Sequence, residues 1–450
     1  MARFRFHKYW THQWVEVKTG GIGTLLMKFR KALERLLDGL LVLLAVPVIC
    51  VLRLLFPVFP VRFGFFFADR IGHFAFDVEY FLASLEFDDG AHKYKNLFFL
   101  VGKVSNQYLL DLVKRELYIH GSVRYLYLAD KMVPFGAKAL IPARHLTGSR
   151  DRRGIYYSTN VHLDFTPEEE RRGQKILENI GIESHEKVVC LIVRDSAYLN
   201  VEQGSRNWEY HSYRDTDIRN YEKVVDQLIE KGYWVLRMGK LVSHPLSIKH
   251  PRFVDYANCD WKSEFLDIWL LARSTFCVST STGLDSVADV YRKPIAFVNF
   301  IPLAYFQTWS SCVLAPANLV WNDTGRRLNC EEHLIHSYMR SEDYLEAGIR
   351  VSELTSQDIS DVVLELEERI SGHWEPTPEE YILQEKFWKL YKYGDDKLLK
   401  DTFTSQDGVI SSMLKCRMRP KTAPDEFIHP QAILSHRFLE KNPEFLNRAR

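Results

Sequence analysis

Between the apolar runs TFCV and PIAFVNF lies Ser279-Thr280-Ser281-Thr282-Gly283-Leu284-Asp285, a stretch of small and hydroxyl residues that opens into the helical pattern LDSVADVY. A helix N-terminus presents unpaired backbone N–H groups and the positive end of the helix dipole, and hydroxyl or glycine residues there let an anion approach. The plainer alternative is that Ser281 or Thr282 only caps the helix. Arginines at two further strand ends weigh toward an anion site: Arg194 after VVCLIV, and Arg237 in YWVLRMG. Arg206, His211, Arg214 and Arg219 lie in the polar stretch that follows Arg194. Guanidinium groups offer a diphosphate both charge and a bidentate match.

A second candidate loop, Asp69-Arg70-Ile71-Gly72-His73, follows the apolar run VRFGFFF. Asp69 and His73 are types that accept a proton from a hydroxyl near neutral pH. Gly72 allows a tight turn and leaves its backbone open to a ligand, with Arg70 beside it. The structural alternative is that Asp69 caps a helix and His73 is an interior histidine; Asp77 and Glu79, deeper in the same helix, are weaker candidates. Cys330, His333 and His336 lie close together but lack the spacing of a zinc site. Neither GxxxxGK[ST] nor GxSxG occurs, and GGIG at 20–23 has no strand before it, so a P-loop, an α/β-hydrolase and a dinucleotide fingerprint are not indicated. No carboxylate pair for a divalent cation is assigned, and no cofactor is expected.

These loops need strands to carry them. VVCLIV (188–193), YWVLRMG (233–239), RFVDYA, TFCVST and PIAFVNF read as buried strands, with IRNYEKVVDQLIEKG, SEFLDIWLLARS and GLDSVADVYRK as helices between them. That alternation defines a doubly wound α/β domain, which takes ligands at the carboxyl ends of its strands. A smaller strand–helix–strand–helix unit precedes it, with VRFGFFF (61–67) and KNLFFLV (95–101) as strands. Residues 141–165 read as a loop, and Thr166-Pro167-Glu168-Glu169 as a capped helix start. Beyond 345 the texture is acidic and helical. The predicted organisation is a basic and apolar segment 1–60, a Rossmann-like domain 61–184, a second Rossmann-like domain 185–345, and a helical extension 346–450.

At 450 residues the chain exceeds one ordinary core, and its formal charge of +1 lacks the basic excess that nucleic-acid binding needs. The seven cysteines are odd in number, scattered, and mostly in apolar contexts such as VVCLIV, as expected of reduced thiols in a cytosolic compartment. Residues 39–52 are uncharged, a shorter run than the roughly 20 residues that span a bilayer. Arg53 interrupts it, and Pro47, Pro57 and Pro60 would kink a spanning helix. Lys28, Arg30, Lys31 and Arg35 form a basic flank. The combination predicts membrane association through residues 25–60, as a monotopic interfacial helix or a single span, and not a signal peptide.

The motifs FGFFFADRIGH, VRDSAYL, HSYRDTDIRNY followed by GYWVLRMG, STSTGLD and FLEKNPEFL, in this order from Phe63 to the C-terminus, resemble a family of bacterial glycosyltransferases associated with surface-carbohydrate gene clusters. The resemblance implies a GT-B-type architecture, two Rossmann-like domains facing a cleft, with acceptor on the N-terminal half and nucleotide-sugar donor on the C-terminal half. In such an enzyme Asp69 or His73 would deprotonate the acceptor hydroxyl, with Arg70 and Gly72 in the acceptor-side loop. Arg194, Arg219 or Arg237, with Ser281, Thr282 and Gly283, would bind the donor and stabilise the departing diphosphate without a metal. The C-terminal helices would pack back over the first domain. The acceptor would be a glycan or glycolipid at the cytoplasmic face of the inner membrane. The alternatives are a nucleotide-sugar epimerase of the same fold and a non-catalytic membrane-attached binding subunit of a polysaccharide assembly complex.

Overall fold

The computed structural model describes residues 2–88, 93–134, 139–141, 149–151, 153–194, 213–240, 242, 245–246, 248–404 and 432–447. Arg206, His211 and most of the VRDSAYL motif lie outside the described residues. The chain divides into two compact units: Met1–Phe66, Gly90–Val101 and Leu117–Pro142 form the first, and Phe67–Asp89, Gly102–Glu116 and Ala143–Arg450 the second. This is a different division from the linear domains 61–184 and 185–345. The N-terminal strands fall in one unit, and the two helices that alternate with them fall in the other.

The first unit holds a three-stranded sheet in the order β1 (Val61–Phe67), β2 (Lys95–Val101), β3 (Tyr118–Ile119). A Cβ at Gly64 would come within 2.6 Å of Ile141 Cδ1 and 2.8 Å of Phe98, so glycine is what lets these side chains close over β1. The helical segment α1 (Ala2–Leu54) is two helices that meet at a kink at Gly21, where φ is 63°, and the second continues through Pro47. Its Val42, Ala45 and Ile49, spaced one helical turn apart, are buried with Val61 and Phe63 of β1. Further along the chain, Val123 and Ala129 of α4 (Val123–Met132) join the same core. Arg53, which interrupts the apolar run, turns inward: its Nε donates to Asp130 Oδ1 at 2.9 Å.

The second unit is organised by a seven-stranded, all-parallel sheet in the order β12-β9-β8-β7-β4-β5-β6. The central strands are β4 (Val188–Ile192), β5 (Trp234–Arg237), β7 (Phe276–Ser279) and β8 (Ile295–Phe300), all wholly buried, as their continuous apolar sequences require. Beside them lie β6 (Phe253–Val254), β9 (Cys312–Pro316) and β12 (Ala432–Leu434). A separate antiparallel pair joins β10 (Asn318–Trp321) to β11 (Ile349–Ser352).

Helix α2 (Ile71–Phe87) is apolar nearly all round, and such a helix is stable only when enclosed. It packs on α8 (Asp285–Val290), and its interior Glu79 accepts from Arg292 at 3.0 Å. Helix α3 (Gln107–Glu116) packs on α7 (Glu264–Arg273) through Asn106 and Gln107, which donate to Glu264. Thr166 caps α5 (Pro167–Asn179) in the expected reciprocal manner with Glu169. The hydrogen bond from Arg115 of α3 holds the Glu169 carboxyl down at about 2.

The described part of the C-terminal extension packs on the sheet of the second unit itself. Helix α11 (Ser356–Ser371) covers β8 and β9, and β12 adds a strand beside β9. Buried Glu365 fixes this arrangement by accepting from Ser435 Oγ at 2.6 Å and from the backbone N–H groups of His436 and Arg437.

Candidate active site

The order of the parallel strands reverses between β4 and β7, which is where an open α/β sheet leaves a crevice for a ligand. Ile192 at the end of β4 lies opposite Ser279 at the end of β7. The chain closes the gap beyond them: Thr280 N donates to Ile192 O at 3.2 Å, and Arg194 N donates to Thr280 Oγ1 at 3.0 Å. Arg194 and the Ser279–Asp285 loop, widely separated in sequence, thus meet at the switch point.

The loop's own hydrogen bonds differ from those of an open anion cradle. Ser281 N donates to Ser279 Oγ, Thr282 N to Asp285 Oδ2 at 2.6 Å, and Leu284 N to Thr282 Oγ1. Asp285, fully buried at the start of α8, also accepts from Ser279 Oγ at 2.8 Å. Burial raises its pKa to about 6, against the pull of these donors and of Arg214. The amides of Thr280, Ser281, Thr282 and Leu284 are therefore engaged by the protein itself, and α8 is a helix of only six residues. What the loop offers a ligand is the hydroxyl groups of Ser281 and Thr282 and the cations beside them.

Those cations are Arg194 and Arg214. Arg194 Nε donates to Asp215 at 3.1 Å. Burial, and after it the neighbouring Arg214 charge, pulls Arg194 below the ordinary arginine value. Arg214 donates to Ser281 O and, at 3.2 Å, to Ser281 Oγ. Its buried Nε has no hydrogen-bond partner among the described residues, and no ion pair involves Arg214 among them. Ser281 is held at a φ of 61°, unusual for a residue with a Cβ, and both its carbonyl and its hydroxyl face Arg214.

The structure does not bring the other two arginines here. Arg237, at the end of β5, is 1% exposed and pairs with Asp255 at 3.6 Å. Enclosed in this way and facing Asp255, which also accepts from Asn258 Nδ2 at 2.9 Å, Arg237 is held in the interior. Arg219 lies on the 3₁₀ turn Ile218–Tyr221 with its side chain 79% exposed, paired with Asp217. Asp215-Thr216-Asp217 has the spacing of a metal-holding carboxylate pair. Asp215 is engaged by Arg194 and Asp217 by Arg219. Among the described residues no group of three or more metal-capable side chains is gathered. Buried His333 meets the ring of Phe445, and His336 pairs with Tyr338.

The second candidate loop sits against the first. A Cβ on Gly72 would come 2.9 Å from Gly283 O and 3.0 Å from Gly283 Cα. A Cβ on Gly283 would in turn meet Ile71 at 3.3 Å. The two glycines thus let the start of α2 touch the switch-point loop backbone to backbone. Asp69 and Arg70 are exposed in this turn, with Asp69 resting on Gly102.

His73, one residue further, has a partner that sequence reasoning missed. Its Nδ1 lies 2.5 Å from Ser149 Oγ, and Ser149 is anchored by Asp77, whose Oδ1 accepts from Ser149 N at 2.5 Å and from Ser149 Oγ at 3.3 Å. With Nδ1 so held, the remaining ring nitrogen, Nε2, has no partner among the described residues, and the side chain is 39% exposed. The i, i+4 spacing of His73 and Asp77 was visible in the sequence; the contribution of Ser149, 76 residues away, was not.

No family model matches the sequence, and no curated protein matches it in a sequence search. Among solved structures, the fold is similar to a glycosyl transferase family 9 protein from Veillonella parvula (TM-score 0.41, 10% identity, 68% of this chain and 96% of that one). It is similar also to the ADP-heptose LPS heptosyltransferase II of E. coli (TM-score 0.35, 10% identity, 69% and 100%). A third is the iron-containing heptosyltransferase TibC, in complex with ADP-D-beta-D-heptose (TM-score 0.32, 12% identity, 69% and 76%). A likeness of this strength does not transfer an activity.

Proposed function

We propose that the protein is a glycosyltransferase that moves a sugar from a nucleotide-sugar donor to a hydroxyl of a glycan or glycolipid, without a metal ion. The reading is carried by one observation: Arg194 and Arg214 converge with the Ser281 and Thr282 hydroxyls at the β4–β7 switch point, directly beside the loop that bears His73. The donor diphosphate lies against the two guanidinium groups. As the bond from the sugar to the phosphate oxygen breaks, negative charge grows on the departing diphosphate, and fixed cations stabilise it most at that moment. His73 Nε2 takes the proton from the attacking acceptor hydroxyl. In this arrangement Nδ1–H donates to Ser149 Oγ and the Ser149 hydroxyl donates to Asp77, which fixes the tautomer that leaves Nε2 unprotonated. Asp69, exposed in the same turn, is the alternative base. Both carboxylates of the 215–217 pair are already engaged by arginines, which supports charge neutralisation by protein cations. A lipid-carried acceptor at the cytoplasmic face of the inner membrane matches the apolar N-terminal helix.

The test incubates the purified full-length protein with a panel of nucleotide sugars, with and without lipid-linked acceptors, and measures nucleotide release. Acceptor-dependent release that is lost in Arg214→Ala and in His73→Ala is the expected result. Epimerised donor without transfer would falsify the reading in favour of an epimerase. Donor binding with no turnover by any acceptor, unchanged by His73→Ala, would reduce the protein to a binding subunit.

A further inference from the structure

The outer face of α1 is a continuous apolar stripe. Ile22, Leu25, Phe29, Leu33, Leu36 and Leu40 recur at spacings of three and four, are each 49–77% exposed, and the same face runs on to Leu54, 80% exposed. The opposite face changes character along its length. In the first half it carries Lys28, Lys31 and Arg35; in the second it is sewn onto the first compact unit. The seam consists of Asp38 accepting from Tyr125 at 2.8 Å, buried Val42, Ala45 and Ile49, and the Arg53–Asp130 pair. Residues 1–60 contain nine Lys and Arg against three Asp and Glu.

We infer that α1 lies flat in the interface of an anionic bilayer, apolar face down, so that the first unit is a monotopic platform rather than the cap of a transmembrane span. The segment Gly21–Leu54 is long and apolar enough to cross a bilayer by length and composition. The seam forbids it. If residues 38–53 crossed, α4 with Arg124, Asp130 and Lys131 would follow them into hydrocarbon, where charged side chains are costly and open sheet edges are excluded. The part of the helix free of the seam, residues 21–37, carries four basic residues and is about 25 Å long at 1.5 Å per residue, short of a hydrocarbon core of about 30 Å. An in-plane helix satisfies every feature at once: leucines reach the acyl chains, basic side chains reach anionic headgroups, and the seam stays above them.

This inference deepens the membrane partner of the proposed function and is independent of its chemistry. Full-length protein is floated with vesicles of phosphatidylglycerol and phosphatidylethanolamine, alongside a Leu33→Glu, Leu36→Glu double variant that changes only exposed side chains. The wild type floats, and the double variant binds about tenfold less or weaker still. A fluorescent non-natural residue placed at Leu25, Leu36 or Val51 in turn is then quenched by lipids bearing quenchers at known depths. One shallow depth at all three positions is the expected result. Depths that step across the bilayer overturn the inference by establishing a span, and no quenching at any position overturns it by removing the bilayer. Nucleotide release measured on the same samples separates loss of membrane contact from failure of the transferase reading.

Discussion

Two strand ends of the second unit carry arginines and are built for opposite ends. At β5, Arg237 is wholly enclosed and balanced by Asp255. At the β4–β7 switch point, Arg194 shares Asp215 while Arg214 makes no ion pair among the described residues and holds a backbone carbonyl and a hydroxyl instead. An enclosed guanidinium facing a carboxylate is held to the fold, whereas at the switch point Arg214, with no carboxylate of its own, adds a charge that Asp215 beside Arg194 does not neutralise. The position of an arginine at a strand end therefore says less than the carboxylates within its reach.

The comparison breaks most sharply at the enclosed pair. Arg237→Ala leaves Asp255 without its cation and is expected to cost about 3–5 kcal/mol of stability, read as a lowered Tm, with donor affinity of the folded fraction unchanged. Arg214→Ala should do the reverse. Its kcat/KM falls on the order of 10²-fold, about 2.7 kcal/mol, while the melting temperature moves little. If both variants lose stability alike, the distinction between the two strand ends is gone.

A third measurement sharpens the switch point through pH. Asp285 is raised from its ordinary 3.8 to about 6 by burial, so the folded state keeps a proton that the unfolded chain has already lost. Its contribution to stability is present in full below about pH 4 and is lost as pH rises through 6, on the order of 2–3 kcal/mol. Asp289, raised to about 6 for the same reason, acts in the same direction. Denaturant unfolding at pH 4.5 and pH 7.5 should show this loss, and Asp285→Asn should remove part of it. Donor binding should weaken over the same rise in pH, since a charged Asp285 beneath the loop opposes an incoming diphosphate. The smallest effect belongs to Arg219→Ala: exposed and paired only locally, it should change neither the melting temperature nor the Michaelis constant for the donor.

Much of this was legible in the sequence. The apolar runs located β4 to β8, Thr166 announced its capping box, and STSTGLD stood where a strand meets a helix. The sequence could not say whether Arg237 or Arg214 had a carboxylate to itself, because Asp255 reaches Arg237 only through the pairing of β5 with β6. Nor could it assign α2. Apolar periodicity tells that a helix must be covered, not by which neighbour, and α2 is covered by α8, far away in sequence. Ser149 was invisible for a similar reason: a single serine in a polar loop has no pattern until folding sets it on His73. The engagement of the Thr282 amide was hidden because nothing in the helical pattern around Asp285 shows that its carboxylate turns back to accept from that N–H.

The placement of α2 and α3 has one more consequence. The polypeptide passes between the two compact units five times. No single excision can release a self-sufficient C-terminal half: a fragment beginning at residue 185 would lack the helices that cover α7 and α8, and the apolar surface beneath them would be bare. Specificity in this protein is thus not a detachable cassette. Transplanting the C-terminal half onto another protein's N-terminal half would sever the Gly72–Gly283 contact, and with it the link between the proposed base and the proposed diphosphate site. If the proposed reading holds, variation in either substrate must instead arise by substitution in place, within loops whose neighbours are threaded from both ends of the chain.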